Sequence, residues 1–423
     1  MANAEDRGLN NPFIALKHRN FRLYWLGMCV SLIGTWMQNI AQPWLAYSLT
    51  KSPLLLSLVG TLQFLPTLLF SLFAGVIIDR RPKKKILLFT QTASLVITLM
   101  LAVLISLGRV QYWHLLAAAT ALGIVNTLDM PTRHTFVIEL VGKEDLMNAI
   151  ALNSTVFNIA RIVGPALAGL IMGVAGIAVC FYINSVSFLA VIISLVFIRP
   201  LSMPRAQPDQ NVWASVKDGL RYIRKNETIL KTLVSILIVS AFALNYNVLV
   251  PVFAKTVLHQ EEAGFGFLMS FVGAGSFFGA MLIAIRSKHG PSRFIIRYFP
   301  LFAAVSLIIT GCTGSYFITA LGLAATGFCF VAFSSTANSS LQLTTEDAYR
   351  GRVMSVFTLF FVGSVPIGNP FAGTITEHFG PSVGFIACGA MILLLIGILL
   401  LWRGKRRKQN GCGETEQPRQ TET

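Results

Sequence analysis

The feature that most constrains this chain is a succession of long, almost unbroken apolar runs separated by short polar segments. Twelve can be marked off, over residues 21–48, 54–78, 86–108, 112–132, 148–172, 176–198, 229–254, 263–285, 294–314, 316–342, 354–376 and 380–402. Each reaches the ~20 residues that a helix needs to cross the hydrocarbon core of a bilayer. Of the 423 residues, 54% are hydrophobic and 12% are charged, about half the charge of a soluble domain. Soluble cores divide into domains before they can bury so much apolar surface. Only helices and closed barrels satisfy every backbone amide in lipid, and these runs lack the ten-residue alternation of barrel strands. The sequence therefore predicts an all-α membrane protein with twelve transmembrane helices. The first and seventh runs exceed the membrane thickness, and are expected to tilt or to break near Pro43 and Pro251.

The net charge of +16 is unevenly placed. With the N-terminus inside, thirty of the 34 lysines and arginines fall on cytoplasmic segments; Lys51, Arg109 and Lys255 fall outside, and Arg161 lies within a span. That is the positive-inside pattern, and it places both termini in the cytoplasm. The basic tail, Arg403 to Lys408, reads as an anchor to anionic headgroups. Nucleic acid is not expected as a partner, because no aromatic stacking residues interleave these cations. Residues 1–20 are polar and no small-residue cleavage site follows, so no removable leader is expected. Six scattered cysteines read as small core or lipid-facing residues. No metal-ligand spacing, cofactor motif or catalytic constellation stands out, and no enzymatic activity is expected.

The runs divide into two bundles, 21–198 and 229–402, flanked by a polar N-terminus (1–20) and a tail (403–423). The linker, 199–228, contains Val212, Val216, Leu220 and Ile223 at helical spacing, which predicts an amphipathic helix on the cytoplasmic face. At an offset of 204 residues Gly75 falls on Gly279, Gly164 on Gly368, Ala168 on Ala372, Gly169 on Gly373, Gly176 on Gly380 and Phe181 on Phe385. Such parallel repeats place a substrate site near the midplane between the halves.

The turn after the second run reads GVIIDRRPKKKI. Its cations fix the turn inside; Asp79 does not serve that purpose and sits at a helix end that its own dipole disfavours. It needs a partner, either neighbouring arginines or the N-terminus of another helix. Here the sequence resembles the major facilitator superfamily, over roughly residues 12–402. Gly75, Asp79, Arg80, Lys83 and Lys84 match its motif between helices 2 and 3, with Pro82 in place of a second glycine. The resemblance implies that Asp79 is a conformational latch, engaging the start of helix 11 and the nearby Arg350 and Arg352 in the outward-facing state. RIVGPALAG, with Gly164, Pro165 and Gly169, is similar to the exporter motif of helix 5, with one extra residue before Gly169; helix packing accounts for it equally well. Asp129, Pro131 and Arg133 at the end of helix 4, with YRGRVMS, are similar to the drug–proton antiporter-3 subgroup, which includes siderophore exporters and macrolide efflux pumps. The Arg-x-x-x-Gly motif of proton-coupled facilitators is absent from helix 4. Ile283 stands at the counterpart of Asp79, so the latch is expected to be one-sided.

Ionisable residues inside a membrane are functional candidates because lipid penalises them by about 2.5–3.5 kcal/mol even on lenient scales. Arg161 is the deepest; the competing reading is a structural arginine held by carbonyls. Asp129 is expected to pair with Arg133 one turn on, and is the one reasonable proton carrier. Glu377 reads as a loop acid. Gln38, Gln42, Gln63, Asn126, Asn158, Asn245, Tyr246, Asn338 and Asn369 are expected to line a cavity with Arg161, although interhelical hydrogen bonding accounts for such residues too. Amides, aromatic walls and one arginine suit an amphipathic neutral or anionic molecule. The expected function is monomeric, proton-coupled export across the bacterial inner membrane. The rivals are a lipid-translocating facilitator and a non-transporting scaffold or sensor.

Reporter fusions test the topology. Alkaline phosphatase joined after Lys85 should be inactive and after Gln111 active; the opposite pattern would invert the whole arrangement.

Overall fold

A computed structural model describes residues 12–199, 212–286 and 290–411, without the side chains of residues 72, 76, 79, 212–216, 348 and 402–411. The described residues form helices and no strands. In chain order they are α1 (Arg19–Thr50), α2 (Pro53–Arg80), α3 (Lys83–Ser106), α4 (Tyr112–Val141), α5 (Leu146–Ala175), α6 (Ile177–Phe197), α7 (Val212–Lys225), α8 (Glu227–Ala243), α9 (Tyr246–Thr256), α10 (Glu262–Arg286), α11 (Arg293–Cys312), α12 (Tyr316–Thr344), α13 (Asp347–Gly363) and α14 (Val365–Gly411). Ten stretches are long and apolar enough to cross a membrane, and the last, Tyr349–Leu401, holds two passes that meet at Gly380. α1, made more polar by Gln38, Asn39 and Gln42, supplies the twelfth.

Local chemistry accounts for many helix ends. Ser52 caps α2, its Oγ accepting from Leu55 N, with Pro53 at the first helical position, where a missing N–H costs nothing. Asn226 caps α8 through Ile229 N. Pro43 is carried inside α1, which runs through without a break. The seventh pass does break, but at Leu244 and Asn245 between α8 and α9; Pro251 lies within α9. The eleventh pass breaks as well, at Ser364 between α13 and α14.

α1 packs on α5 and α6, α2 on α4, and α3 on α4 and α6; α10 and α11 pack on α12, and α14 on α8 and α11. Two seams join the halves, α5 with α10 and α2 with α14. The offset glycines explain both. Gly176 adopts φ 86° and ψ 163° between α5 and α6, and Gly380 adopts φ 85° and ψ 165° in the corresponding turn, a conformation open to glycine alone. Gly164 packs on Trp36 of α1, and Gly368 on Ala241 and Asn245 of the seventh pass. Five residues on, Gly169 faces α10, where an added methyl would lie 2.7 Å from the Glu262 carbonyl oxygen and 2.9 Å from Gly266 Cα. Gly373 faces α2, where a methyl would lie 2.6 Å from Ser57 Cβ and 3.0 Å from the Pro53 carbonyl oxygen. Each half therefore uses one glycine to hold its own first pass and one to approach the other half.

The basic loops gather at one end of the bundle, here called the basic end; the opposite end is distal. At the basic end a short 3-10 helix (Ile14–Lys17) is stapled to α5. Ala15 N donates to Asn148 Oδ1 at 3.0 Å, Asn148 Nδ2 to the Pro12 carbonyl at 2.9 Å, and Lys17 and His18 reach Asp145 at 2.8 and 2.7 Å. The linker helix α7 docks on α13, but not through the whole face expected. Ile223 is buried, Gly219 packs against Arg352 and Tyr222 stacks on Tyr349 at 4.2 Å, whereas Leu220 is exposed. Val212 and Val216 lie outside the described side chains, as does the basic run 403–408 in the last turns of α14.

Overpacking a dense contact costs about 1–3 kcal/mol. Gly169→Val and Gly373→Val should therefore each lower the melting temperature of the purified protein in detergent, while Gly75→Ala, where a methyl meets nothing within 4 Å, should leave it unchanged.

Candidate transport site at the seam

At the distal end the halves are clasped by two acids of the second half. Trp44 Nε1 of α1 donates to Glu262 Oε1 of α10 at 2.9 Å, and its ring stacks on Phe265 at 5.2 Å. Glu377 accepts from Ser52 Oγ at 2.8 Å and from Leu54 N at 3.2 Å. It is no idle loop acid: it sits at the N-terminus of α2, where an anion complements the helix dipole. The cross-half glycine contacts continue inward to Gly363 against Leu68 and Gly273 against Arg161. At the basic end, every hydrogen bond and ion pair found among the described residues stays within one half or joins it to its flanking segments. Lys83 Nζ is bonded to Glu139 at 2.6 Å and Lys84 Nζ to the Ile198 carbonyl at 2.7 Å. Arg350 holds Asp347 at 2.5 Å and the Gln342 carbonyl at 3.1 Å, and Arg352 lies 5.4 Å over the Tyr349 ring. Arg80 and Gly75 are exposed; the Asp79 side chain lies outside the described residues.

Asp129 is buried, and its carboxylate is enclosed. Oδ1 accepts from Thr90 Oγ1 at 2.6 Å and Gln91 Nε2 at 2.8 Å; Oδ2 accepts from Arg133 Nε, the pairing expected from the one-turn spacing. Arg133 also reaches Met28 of α1. The cluster braces α1, α3 and α4. Pro131 is exposed within α4, which continues through it.

The polar cavity candidates separate into four groups. Gln38 and Gln42 are buried and belong to an amide chain: Asn184 Nδ2 and Thr98 Oγ1 donate to Gln38 Oε1 at 2.6 and 3.2 Å, and Gln42 Nε2 donates to Gln63 Oε1 at 3.5 Å. Asn245 is buried in the break of the seventh pass, donating to the Ala241 carbonyl at 2.9 Å, and Asn369 is buried on the α2–α14 seam against Gly60. Toward the basic end, Asn126 is exposed on α4, and Gln342 Nε2 donates to Asn338 Oδ1 at 2.5 Å.

Arg161, Asn158 and Tyr246 form the fourth group, at a pocket on the α5–α10 seam. It offers about 400 Å³ of empty space, partly continuous with solvent. Arg161 comes from the first half; Tyr246, Val272, Ser276, Thr326 and Phe330 come from the second. Arg161 Nη2 donates to Asn158 Oδ1 at 3.0 Å and its Cζ lies 5.8 Å over the Phe157 ring. Its Nε is buried without a hydrogen-bond partner. Sequence spacing places Arg161 and Tyr246 on inward helices, but the clasp pairs escape it. Trp44 and Glu262 are 218 residues apart, and no local pattern relates them.

Trp44→Phe keeps an aromatic ring, smaller than the indole, and removes the N–H. A hydrogen bond to a charged group contributes about 1.5–3 kcal/mol, so this variant should raise the labelling rate of a cysteine placed at Ser57, read in a cysteine-free background with a membrane-impermeant maleimide.

The fold has counterparts among known proteins. The staphyloferrin A transporter of Staphylococcus aureus is 24% identical over 361 residues, covering 82% of this chain and 87% of that protein. Macrolide efflux protein A of Streptococcus pyogenes is 21% identical, covering 90% and 96%. The crystal structure of a bacterial homologue of the lysosomal transporter Spinster, inward-facing and occupied, superimposes with a TM-score of 0.72 at 11% identity, covering 93% and 97%. The family described as transmembrane secretion effector matches residues 10–419. The chain therefore belongs to that family within the major facilitator superfamily, as a multi-pass protein of the bacterial cell membrane.

Proposed function

We propose that this protein exports an amphipathic small organic molecule, drug-like or siderophore-like, by alternating access between two six-helix bundles, 21–198 and 229–402. The observation that carries the reading is the asymmetry of the seam. The halves are clasped distally, unlinked by hydrogen bonds at the basic end among the described residues, and enclose a pocket to which both contribute. With the termini and basic loops in the cytoplasm, this is the inward-facing state, ready to load from inside. The printed functions of the relatives, a siderophore transporter and a macrolide efflux protein, support export.

The cycle then has a physical order. Substrate enters from the basic end and fills the pocket beside Arg161 and Tyr246. The basic end closes when Asp79 meets the N-terminus of α13, with Arg350 and Arg352 leaving their present partners. The distal clasp of Trp44 with Glu262 and Glu377 with Ser52 parts in exchange. Protons return along their gradient to drive the cycle; Asp129 can accept one only if its contacts with Thr90, Gln91 and Arg133 loosen. The carrier works as a monomer.

Lipid translocation is a second reading. A membrane-facing groove of about 690 Å³ between α2 and α4, lined by Phe70, Phe73, Ala74, Ile77, Ile124 and Leu128, favours it. A panel of drugs, siderophores and dyes on a deletion strain tests between them. Export predicts retention of at least one compound that returns to normal on complementation and rises again with a protonophore; phospholipid movement in proteoliposomes without such retention would favour the second. Asp79→Asn should lower export severalfold with the protein still in the membrane, and normal efflux would refute the latch. Arg161→Ala should abolish export of the compound so identified.

A further inference from the structure

The charge pattern around Arg161 narrows what the pocket can hold. Five acids of the membrane passes and their rims are engaged away from Arg161. Asp129 holds Arg133, Glu139 holds Lys83, Glu227 holds Lys231, Glu262 accepts from Trp44 and Glu377 caps α2. Tyr246, which lines the same pocket, offers a hydroxyl rather than a carboxylate. Of the five N–H donors of a guanidinium, Arg161 commits one to a neutral amide oxygen, and its Nε is buried with no partner. A cation in the apolar interior without a counter-charge is costly, and such groups ordinarily acquire one.

Resting on the exporter reading, we infer that the carried molecule is an organic anion whose compact acidic oxygen group seats on the Arg161 guanidinium, supplying the counter-charge that no described residue gives it. A planar, two-pronged cation fits a carboxylate or a comparable oxyanion best. The rest of the molecule lies against Val272, Leu323 and Phe330, with the Ser276 and Thr326 hydroxyls at hand. A cationic drug would meet an unneutralised positive charge in the same place.

The distal end agrees with this. Of the three cations there, two converge on the clasp. Lys255 Nζ lies 5.2 Å over the Trp44 ring, and the Lys51 amine is lowered by burial and by the proximity of Lys255. Two like charges facing each other on the outward route repel when empty and are relieved by a passing anion.

Three dansyl probes of similar size test the inference on the full-length protein in detergent: dansylglycine, with a carboxylate; dansylglycinamide, its neutral counterpart; and dansylcadaverine, a cation. Binding is read by energy transfer from tryptophan. Dansylglycine should bind about tenfold or more tighter than the amide, roughly 1.4 kcal/mol, and the cation weakest. Arg161→Gln should bind acid and amide alike, and Arg161→Lys should keep part of the preference. Equal or tighter binding of the amide or the cation to the unmodified protein overturns the inference, and needs no variant to fold. A folded Arg161→Gln that still prefers the acid overturns it too. Export from proteoliposomes separates the two levels. Movement of the amide or amine but not the acid defeats the anion inference and leaves the exporter standing; movement of none defeats both.

Discussion

Lipid offers no hydrogen bonds, and this constraint organises the molecule. A polar group within the hydrocarbon layer must be satisfied by its own chain. The consequences run through the interior: Asp129 enclosed by three donors, and the chain of amides from Asn184 through Gln38 and Gln42 to Gln63. Without an aqueous driving force between helices, close packing does the rest. Gly169 on α10 and Gly373 on α2 let backbones touch across the seams. Arg161 stands apart as a charged group in a pass whose buried Nε has no hydrogen-bond partner.

Much of this was legible in the residues because the physics is local. The length of an apolar run fixes a pass. The Asp129–Arg133 pairing follows from one helical turn. The offset of 204 residues identified glycines that prove to share backbone angles and contacts, Gly176 with Gly380 and Gly169 with Gly373. What escaped was set by distant neighbours. The break at Leu244–Asn245 carries no internal proline and arises where two passes meet, Gly368 lying against Ala241 and Asn245; the break at Ser364 has a local sign in Pro366, which has no N–H to continue a helix through it. Glu377 looked idle because its partner, Ser52, is 325 residues away. Gln38 and Gln42 looked like cavity residues because an inward-facing amide reads the same in sequence whether it meets a ligand or another amide.

The two halves are alike in plan and unlike in detail, and the differences lie along the transport route. Among the described residues, only the seventh and eleventh passes, both in the second half, are interrupted. Only the second half donates acids to the distal clasp. The pocket takes its cation from the first half and most of its walls from the second. Symmetry supplies the shared frame, and the departures from it give the two ends of the seam different contacts.

The single-residue turns at Gly176 and Gly380 have a mechanical consequence. With one residue between them, α5 and α6 have no slack, and neither do the two passes of α14. Each pair is a rigid bracket with one arm in the seam and the other sunk among its neighbours. A small tilt imposed beside Arg161 is therefore transmitted as leverage to α1 and α3, which pack on the far arm, so a nudge at the centre can swing an entire bundle.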